Sequence, residues 1–192
     1  MKPRKILGIC GSLRAKSYNM YALKTAGRLM PEGMSLEIVD YADIPLYNQD
    51  DQSPETRAAV ERLRSAIVAA DALLIASPEY NFSVTGVLKN AIDWLSRTTP
   101  QPFKEKPVAM LSATQGPVGG ARNQYELRKI LSCLEAMPLN KPEIFIGMCQ
   151  NRFNEAGELT DEPTRKFMAD QLLAFQKWIE RVEPRAAEHV AS

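Results

Sequence analysis

Five short, mostly apolar runs punctuate the chain: residues 5–10 (KILGIC), 36–39 (LEIV), 72–76 (ALLIA), 108–111 (VAML) and 144–148 (IFIGM). None alternates cleanly between apolar and polar positions, which predicts strands buried on both faces, as in a parallel sheet sandwiched between helices. Between them, residues 19–30, 55–70, 85–96, 121–137 and 161–182 carry apolar side chains at spacings of three and four, the helical period. In the last of these, Met168, Leu172, Phe175, Ile179 and Val182 form one stripe, expected to pack on the core. Five strand-helix repeats imply an α/β fold: a doubly wound, five-stranded parallel sheet with right-handed crossovers and helices on both faces. Residues 40–54 and 149–161 are turn-rich and read as surface loops.

Composition narrows the function. The chain has 192 residues, 45% hydrophobic and 24% charged, which suits one soluble domain over 1–183 with a mobile tail at 184–192. Twenty-four Lys and Arg balance 23 Asp and Glu, for a net charge of +1 without a basic block, so neither nucleic acid nor an anionic membrane is expected as the main partner. No stretch approaches the roughly 18 apolar residues of a membrane span. The first apolar run is soon interrupted by Arg14 and Lys16, unlike a signal peptide. Cys10, Cys133 and Cys149 are widely separated and odd in number; they suggest neither a metal site nor a disulfide framework, and a reducing cytoplasm is the expected setting. The one histidine, His189, falls in the tail. Mechanisms that need an imidazole in a packed cleft are thereby excluded, and no metal site is expected.

In an open parallel sheet, ligands bind beyond the carboxyl ends of the strands, where the winding reverses. The loops after the strands therefore carry the candidate chemistry. After the first strand, 11–19 (GSLRAKSYN) places Ser12, Arg14, Ser17 and Asn19 just before a helix. A helix N-terminus with unpaired N–H groups, a guanidinium and hydroxyls together make a phosphate cradle; the plainer alternative is an N-cap by Ser17 with Arg14 merely solvated. The dinucleotide pattern GxGxxG fails here at Cys10 and Leu13, and the Walker pattern fails at Leu13 and Arg14. A phosphatase-type loop on Cys10 would want an arginine where Lys16 stands, so Cys10 reads better as a small buried residue at a strand end.

After the third strand, Pro78, Glu79, Tyr80 and Asn81 form a ledge, with the direction of Ser77 constrained by Pro78. After the fourth, 112–120 (SATQGPVGG) offers Ser112, Thr114 and Gly116. Either loop could be a simple turn or a tight connection. With strand order 2-1-3-4-5, however, the first two loops face each other across the switch point, where flavodoxin holds FMN. Backbone amides near Glu79 and Asn81 could then bond a flavin edge, with Tyr80 packing near its ring.

The segments GSLRAKSYN, DIPLYNQD, SPEYNFSVTGVLKNAIDWLSR and GPVGGARNQYELRKIL together resemble the NAD(P)H-dependent FMN reductase family, especially its bacterial quinone and chromate reductase branch. The resemblance runs from about residue 4 to residue 182. It implies a flavodoxin-like fold, non-covalent FMN, and hydride passage from NAD(P)H to quinones, chromate, azo compounds or free flavin by a ping-pong mechanism. It also implies a homodimer or a tetramer of two dimers, with Arg122, Tyr125 and Glu143 at the dimer-dimer contact. Chemistry at flavin N5 fits the lack of a histidine, because the cofactor carries the reactive atom, and with it the resemblance implies that no side chain is catalytic in the strict sense. Trp94 lies off the apolar stripe of its predicted helix; a neighbouring loop of the same chain could cover it, but the resemblance favours a dimer built on that helix. A flavodoxin-type electron carrier, for which +1 is poorly acidic, and a non-enzymatic flavin redox sensor are the rival readings.

Overall fold

The computed structural model describes residues 3–183. The expected mobile tail, including His189, lies outside the described residues. The elements are β1 (Arg4–Cys10), α1 (Tyr18–Arg28), β2 (Met34–Val39), α2 (Pro54–Ala69), β3 (Ala72–Ala76), α3 (Gly86–Leu95), β4 (Pro107–Ala113), α4 (Ala121–Cys133), β5 (Met137–Pro138), β6 (Ile144–Ile146) and α5 (Glu162–Val182). All strand pairs are parallel, in the order β2-β1-β3-β4, with β5 and β6 both pairing β4. This is the flavodoxin-like 2-1-3-4-5 arrangement, and the winding reverses between β1 and β3.

The fifth position differs from expectation in one respect: two short segments share it. The apolar spacing that suggested a helix to residue 137 continues past a stop. Glu135 is left-handed, at φ 57°, and Ala136 N–H bonds the Leu131 carbonyl, ending α4. Met137 and Pro138 then pair with Pro107 and Val108, whereas Ile144 to Ile146 pair with Leu111 to Ala113. The strand expected over 144–148 stops two residues early, since Met148 is also left-handed.

Every residue of β3 and β4 is buried, because both sheet faces are covered. One core joins Ile6, Leu74 and Leu111 with Leu23 of α1 and Met168, Leu172, Phe175 and Ile179 of α5. The other joins Leu7, Leu73, Ile75 and Met110 with Leu63, Ile67, Leu88, Ile92 and Leu127 of α2, α3 and α4. Neighbouring residues of one strand thus feed opposite cores, which is why the apolar runs lack a period of two.

Local sequence starts the helices. Ser53 accepts from Thr56 N–H ahead of Pro54, Thr85 from Leu88 N–H, and Asp161 from Thr164 N–H, three side-chain caps of the ordinary kind. No helix among the described residues is long and apolar enough to cross a membrane.

Trp94 is only 7% exposed, and its cover comes from its own chain. Its Nε1 donates to the Pro45 carbonyl (2.9 Å), and its ring meets Tyr47 edge-on at 4.9 Å. Asn90 fixes the same loop through Pro45 O and Tyr47 N–H, each at 2.7 Å. The expectation that Trp94 needs a second subunit is therefore corrected: residues 45–47 of the 40–54 loop fold back over α3. The deciding contacts are tertiary, beyond the reach of helical periodicity.

Candidate functional site

The loops after β1, β3 and β4 meet at the switch point. They line one open cleft of about 260 Å³, whose walls include Ser12, Arg14, Ser17 and Asn19, then Pro78, Glu79 and Tyr80, then Thr114 and Gly116. Nine of the eleven residues expected to bind a cofactor lie among its walls; Ser112 and Asn81 are the two that do not. A larger cavity of about 450 Å³, beside Tyr47 and Trp94, shares no residue with these loops.

The loops are drawn together by backbone demands. Gly11 N–H bonds the Ala76 carbonyl at 2.7 Å, so the first two loops leave the sheet side by side. A Cβ on Gly11 would lie 2.3 Å from Ser77 Oγ; only glycine permits that approach. Thr85 Oγ1 donates to the Gly11 carbonyl (2.7 Å) while capping α3, tying the first loop to the third helix.

At the N-terminus of α1, Ser17 occupies the cap position in extended conformation, yet its side chain makes no capping bond. The first-turn amides are thus left for a ligand, with the positive end of the helix dipole behind them. Ser12 and Ser17 are buried and Arg14 is exposed; among the described residues no hydrogen bond or ion pair engages the Arg14 guanidinium. Hydroxyls, uncapped amides and a spare guanidinium are the donor set of a phosphate monoester site, and it fits the phosphate of FMN.

Two expected donors serve the scaffold instead. Asn19 donates from Nδ2 to the Ala113 carbonyl and accepts from Ala113 N–H, both at 2.9 Å. Its side chain borders the cleft but locks α1 to β4. Ser112, 0% exposed, donates to the Gly119 carbonyl and accepts from Gln124 Nε2, so it shapes the third loop from below. Asn81 sits in an exposed turn beyond the ledge, left-handed at φ 51°.

Glu79 has a role that sequence reasoning did not find. Its carboxylate accepts from the backbone N–H of Arg122 (3.0 Å) and of Asn123 (3.3 Å), and pairs with Arg122 Nη1 (2.7 Å). The α4 cap residue is Gly120, without a side chain and at φ 85°, so Glu79 from the ledge supplies the missing cap. Asn123 Nδ2 adds a bond to the Ser77 carbonyl at 3.0 Å. The one available signal was a helix start, GGARNQ, with no capping side chain of its own.

The residues assigned to a dimer-dimer contact have partners within the chain. Arg122 pairs with Glu79, and Glu143 lies near Arg128 (3.8 Å) and bonds Lys141. Tyr125 is exposed and packs beside Phe145.

Burial disfavours the thiolate at two of the cysteines. Burial raises Cys10, and burial pushes Cys149 up to about 11. Burial likewise raises the phenol of Tyr41, whose hydroxyl donates to the Cys10 carbonyl at 2.6 Å.

The pattern of NADPH-dependent FMN reductases matches residues 4–151. An NAD(P)H-dependent FMN reductase of Pseudomonas aeruginosa is 53% identical over 178 residues, covering 93% of this chain and 96% of that protein. A quinone reductase of Escherichia coli K12 is 44% identical over 182 residues, covering 93% and 97%. Among solved structures, the flavoenzyme NAD(P)H:(acceptor) oxidoreductase FerB of Paracoccus denitrificans superposes with a TM-score of 0.83 at 34% identity, covering 93% of this chain and 98% of that one. Fold, cleft and relatives agree: the chain belongs to the NADPH-dependent FMN reductase family.

Proposed function

We propose that this chain, acting as one domain over residues 1–183, binds FMN non-covalently in the three-loop cleft and reduces small acceptors with NAD(P)H. The observation that carries this reading is the convergence of an uncapped helix N-terminus, Ser12, Ser17 and Arg14 with the Pro78–Tyr80 ledge on one cleft. Ser12, Ser17, Arg14 and the first-turn amides of α1 hold the phosphate; Pro78, Glu79, Tyr80, Thr114 and Gly116 border the ring system. FMN supplies, when bound, a centre that accepts a hydride equivalent and returns two electrons. The chain itself contributes orientation, a positive field at the phosphate and a rigid ledge, and none of its side chains needs to move a proton from carbon.

Quinones are the proposed main acceptors, supported by the quinone reductase relative; chromate, azo compounds and free flavin are the wider set. For a quinone the balance is NAD(P)H plus a proton plus quinone, giving NAD(P)⁺ and quinol. One open cleft implies that nicotinamide and acceptor use the same face in turn, hence ping-pong kinetics. We place the protein in the cytoplasm as a homodimer or a tetramer of dimers, on the resemblance.

Steady-state rates at varied NADPH and quinone test the reading. Parallel double-reciprocal lines are expected. Intersecting lines would contradict ping-pong transfer. Slow NAD(P)H oxidation by the FMN-loaded protein, with every acceptor, would favour a carrier or sensor.

A further inference from the structure

The first loop has open space on two sides. Ser12 and Arg14 border the cleft and also a second cavity of about 360 Å³ that reaches Met20 and residues 38–42. Leu13, Arg14, Ala15 and Lys16 are all exposed. Packing therefore does little to fix the loop, and its shape depends on how its root is held.

The root is the peptide that joins Cys10 to Gly11. A trans peptide points its carbonyl and its N–H in opposite directions, and here both are engaged. Gly11 N–H bonds the Ala76 carbonyl at the end of β3, at 2.7 Å. On the other side the register with β2 ends at Ile9 and Val39, so β2 does not reach the Cys10 carbonyl. The Tyr41 hydroxyl donates to that carbonyl instead, at 2.6 Å. Asp40 Oδ1 accepts from Ala42 N–H at 2.9 Å, a side-chain turn that brackets Tyr41. The Tyr41 ring is 4% exposed and joins the core of Leu7, Ile9 and Ile75. Burial holds its phenol above the ordinary tyrosine value, so at neutral pH the hydroxyl stays a donor. With Thr85 on the following carbonyl, two consecutive carbonyls at the start of the loop are held by buried hydroxyls from different elements.

We propose that Tyr41 is a positioning residue of the cofactor site: through the Cys10 carbonyl it holds the first loop, before any ligand arrives, in the form that receives a phosphate monoester. The inference deepens the proposed function and rests on it. A loop already in shape loses little further freedom on binding, which favours the ligand whose phosphate it meets. Riboflavin carries the same ring system without the phosphate and gains nothing from the loop. Tyr41 therefore sets phosphate selectivity and leaves the ring ledge alone.

The test compares the apoproteins of wild type, Tyr41→Phe and Lys106→Met. Tyr41→Phe keeps the ring and removes only the hydroxyl. Lys106→Met removes the bond to the Ala70 carbonyl (2.7 Å) at the opposite end of the sheet and reports what a general loss of stability does. In calorimetric titrations Tyr41→Phe is expected to bind FMN about tenfold more weakly and riboflavin within about twofold of wild type, while Lys106→Met keeps the wild-type ratio of the two affinities. Amide exchange followed by NMR puts the same question to the unsubstituted protein. Gly11 N–H should be as protected in ligand-free wild type as with FMN bound, and should exchange about tenfold faster in Tyr41→Phe. A wild-type ratio of FMN to riboflavin affinity in Tyr41→Phe would overturn the proposal, because a merely structural role weakens both ligands alike. So would a Gly11 amide that is protected only once FMN is bound, a result that stands even if Tyr41→Phe does not fold. A wild type that binds neither flavin would contradict the proposed function, and the exchange of Gly11 would still show whether Tyr41 holds the root of the loop.

Discussion

In the proposed site, phosphate recognition should depend most on Arg14, because it is the cationic side chain among the cleft walls at the uncapped start of α1. Arg14→Ala is expected to lose about 1.5 to 3 kcal/mol of FMN binding, the range for a charge-assisted hydrogen bond, and Ser17→Ala about 0.5 to 1.5 kcal/mol. Flavin titration of the apoprotein measures both, and unchanged affinity in both variants would remove the cradle. The cysteines give a second expectation at this scale. Cys133 is exposed, whereas Cys10 and Cys149 are buried and raised by that burial, and a thiolate is the reactive form. Native protein at neutral pH should take up one maleimide quickly, at Cys133, and two more only on unfolding. Peptide mass spectrometry that finds early label on Cys149 would contradict the burial.

Among the elements, α3 couples stability to the site. Thr85→Ala removes both the cap on Leu88 N–H and the bond to the buried Gly11 carbonyl. A lost cap costs about 1 kcal/mol and an orphaned buried acceptor about 1 to 3 kcal/mol. Denaturant unfolding should show a loss of about 2 to 4 kcal/mol, with weaker FMN binding because Gly11 begins the proposed phosphate loop. The same scale shows how far sequence patterns carry. Five apolar runs were legible because a two-faced parallel sheet needs them; the split fifth position was not, since Leu131, Leu134 and Met137 keep a helical spacing across the Glu135 stop. The three loops could be found from the sheet order alone. The cap that Glu79 lends to α4, the scaffold roles of Asn19 and Ser112, and the loop over Trp94 could not, because each depends on residues seven or more positions away.

The molecule as a whole should lose stability on acidification, in part through the start of α5. Asp161 is held below the usual carboxylate range, first by the Thr164 hydroxyl and also by Thr164 N–H and Arg152. Its folded value is depressed, so its contribution is fully present above the ordinary aspartate range, about pH 4, and is lost as pH falls through the depressed value. Asp161→Asn should be less stable at neutral pH and lose less between about pH 5 and pH 2, as followed by thermal melts; an unaltered acid limb would count against the cap. The proposed function requires that the cleft hold FMN by its phosphate. Calorimetric titration of the apoprotein with FMN and riboflavin side by side tests this most directly, since the two ligands differ only in that group. One FMN per chain, with riboflavin bound about a hundredfold more weakly, or about 2.7 kcal/mol, is the predicted result. Equal affinity for riboflavin, or no binding of FMN, would contradict it.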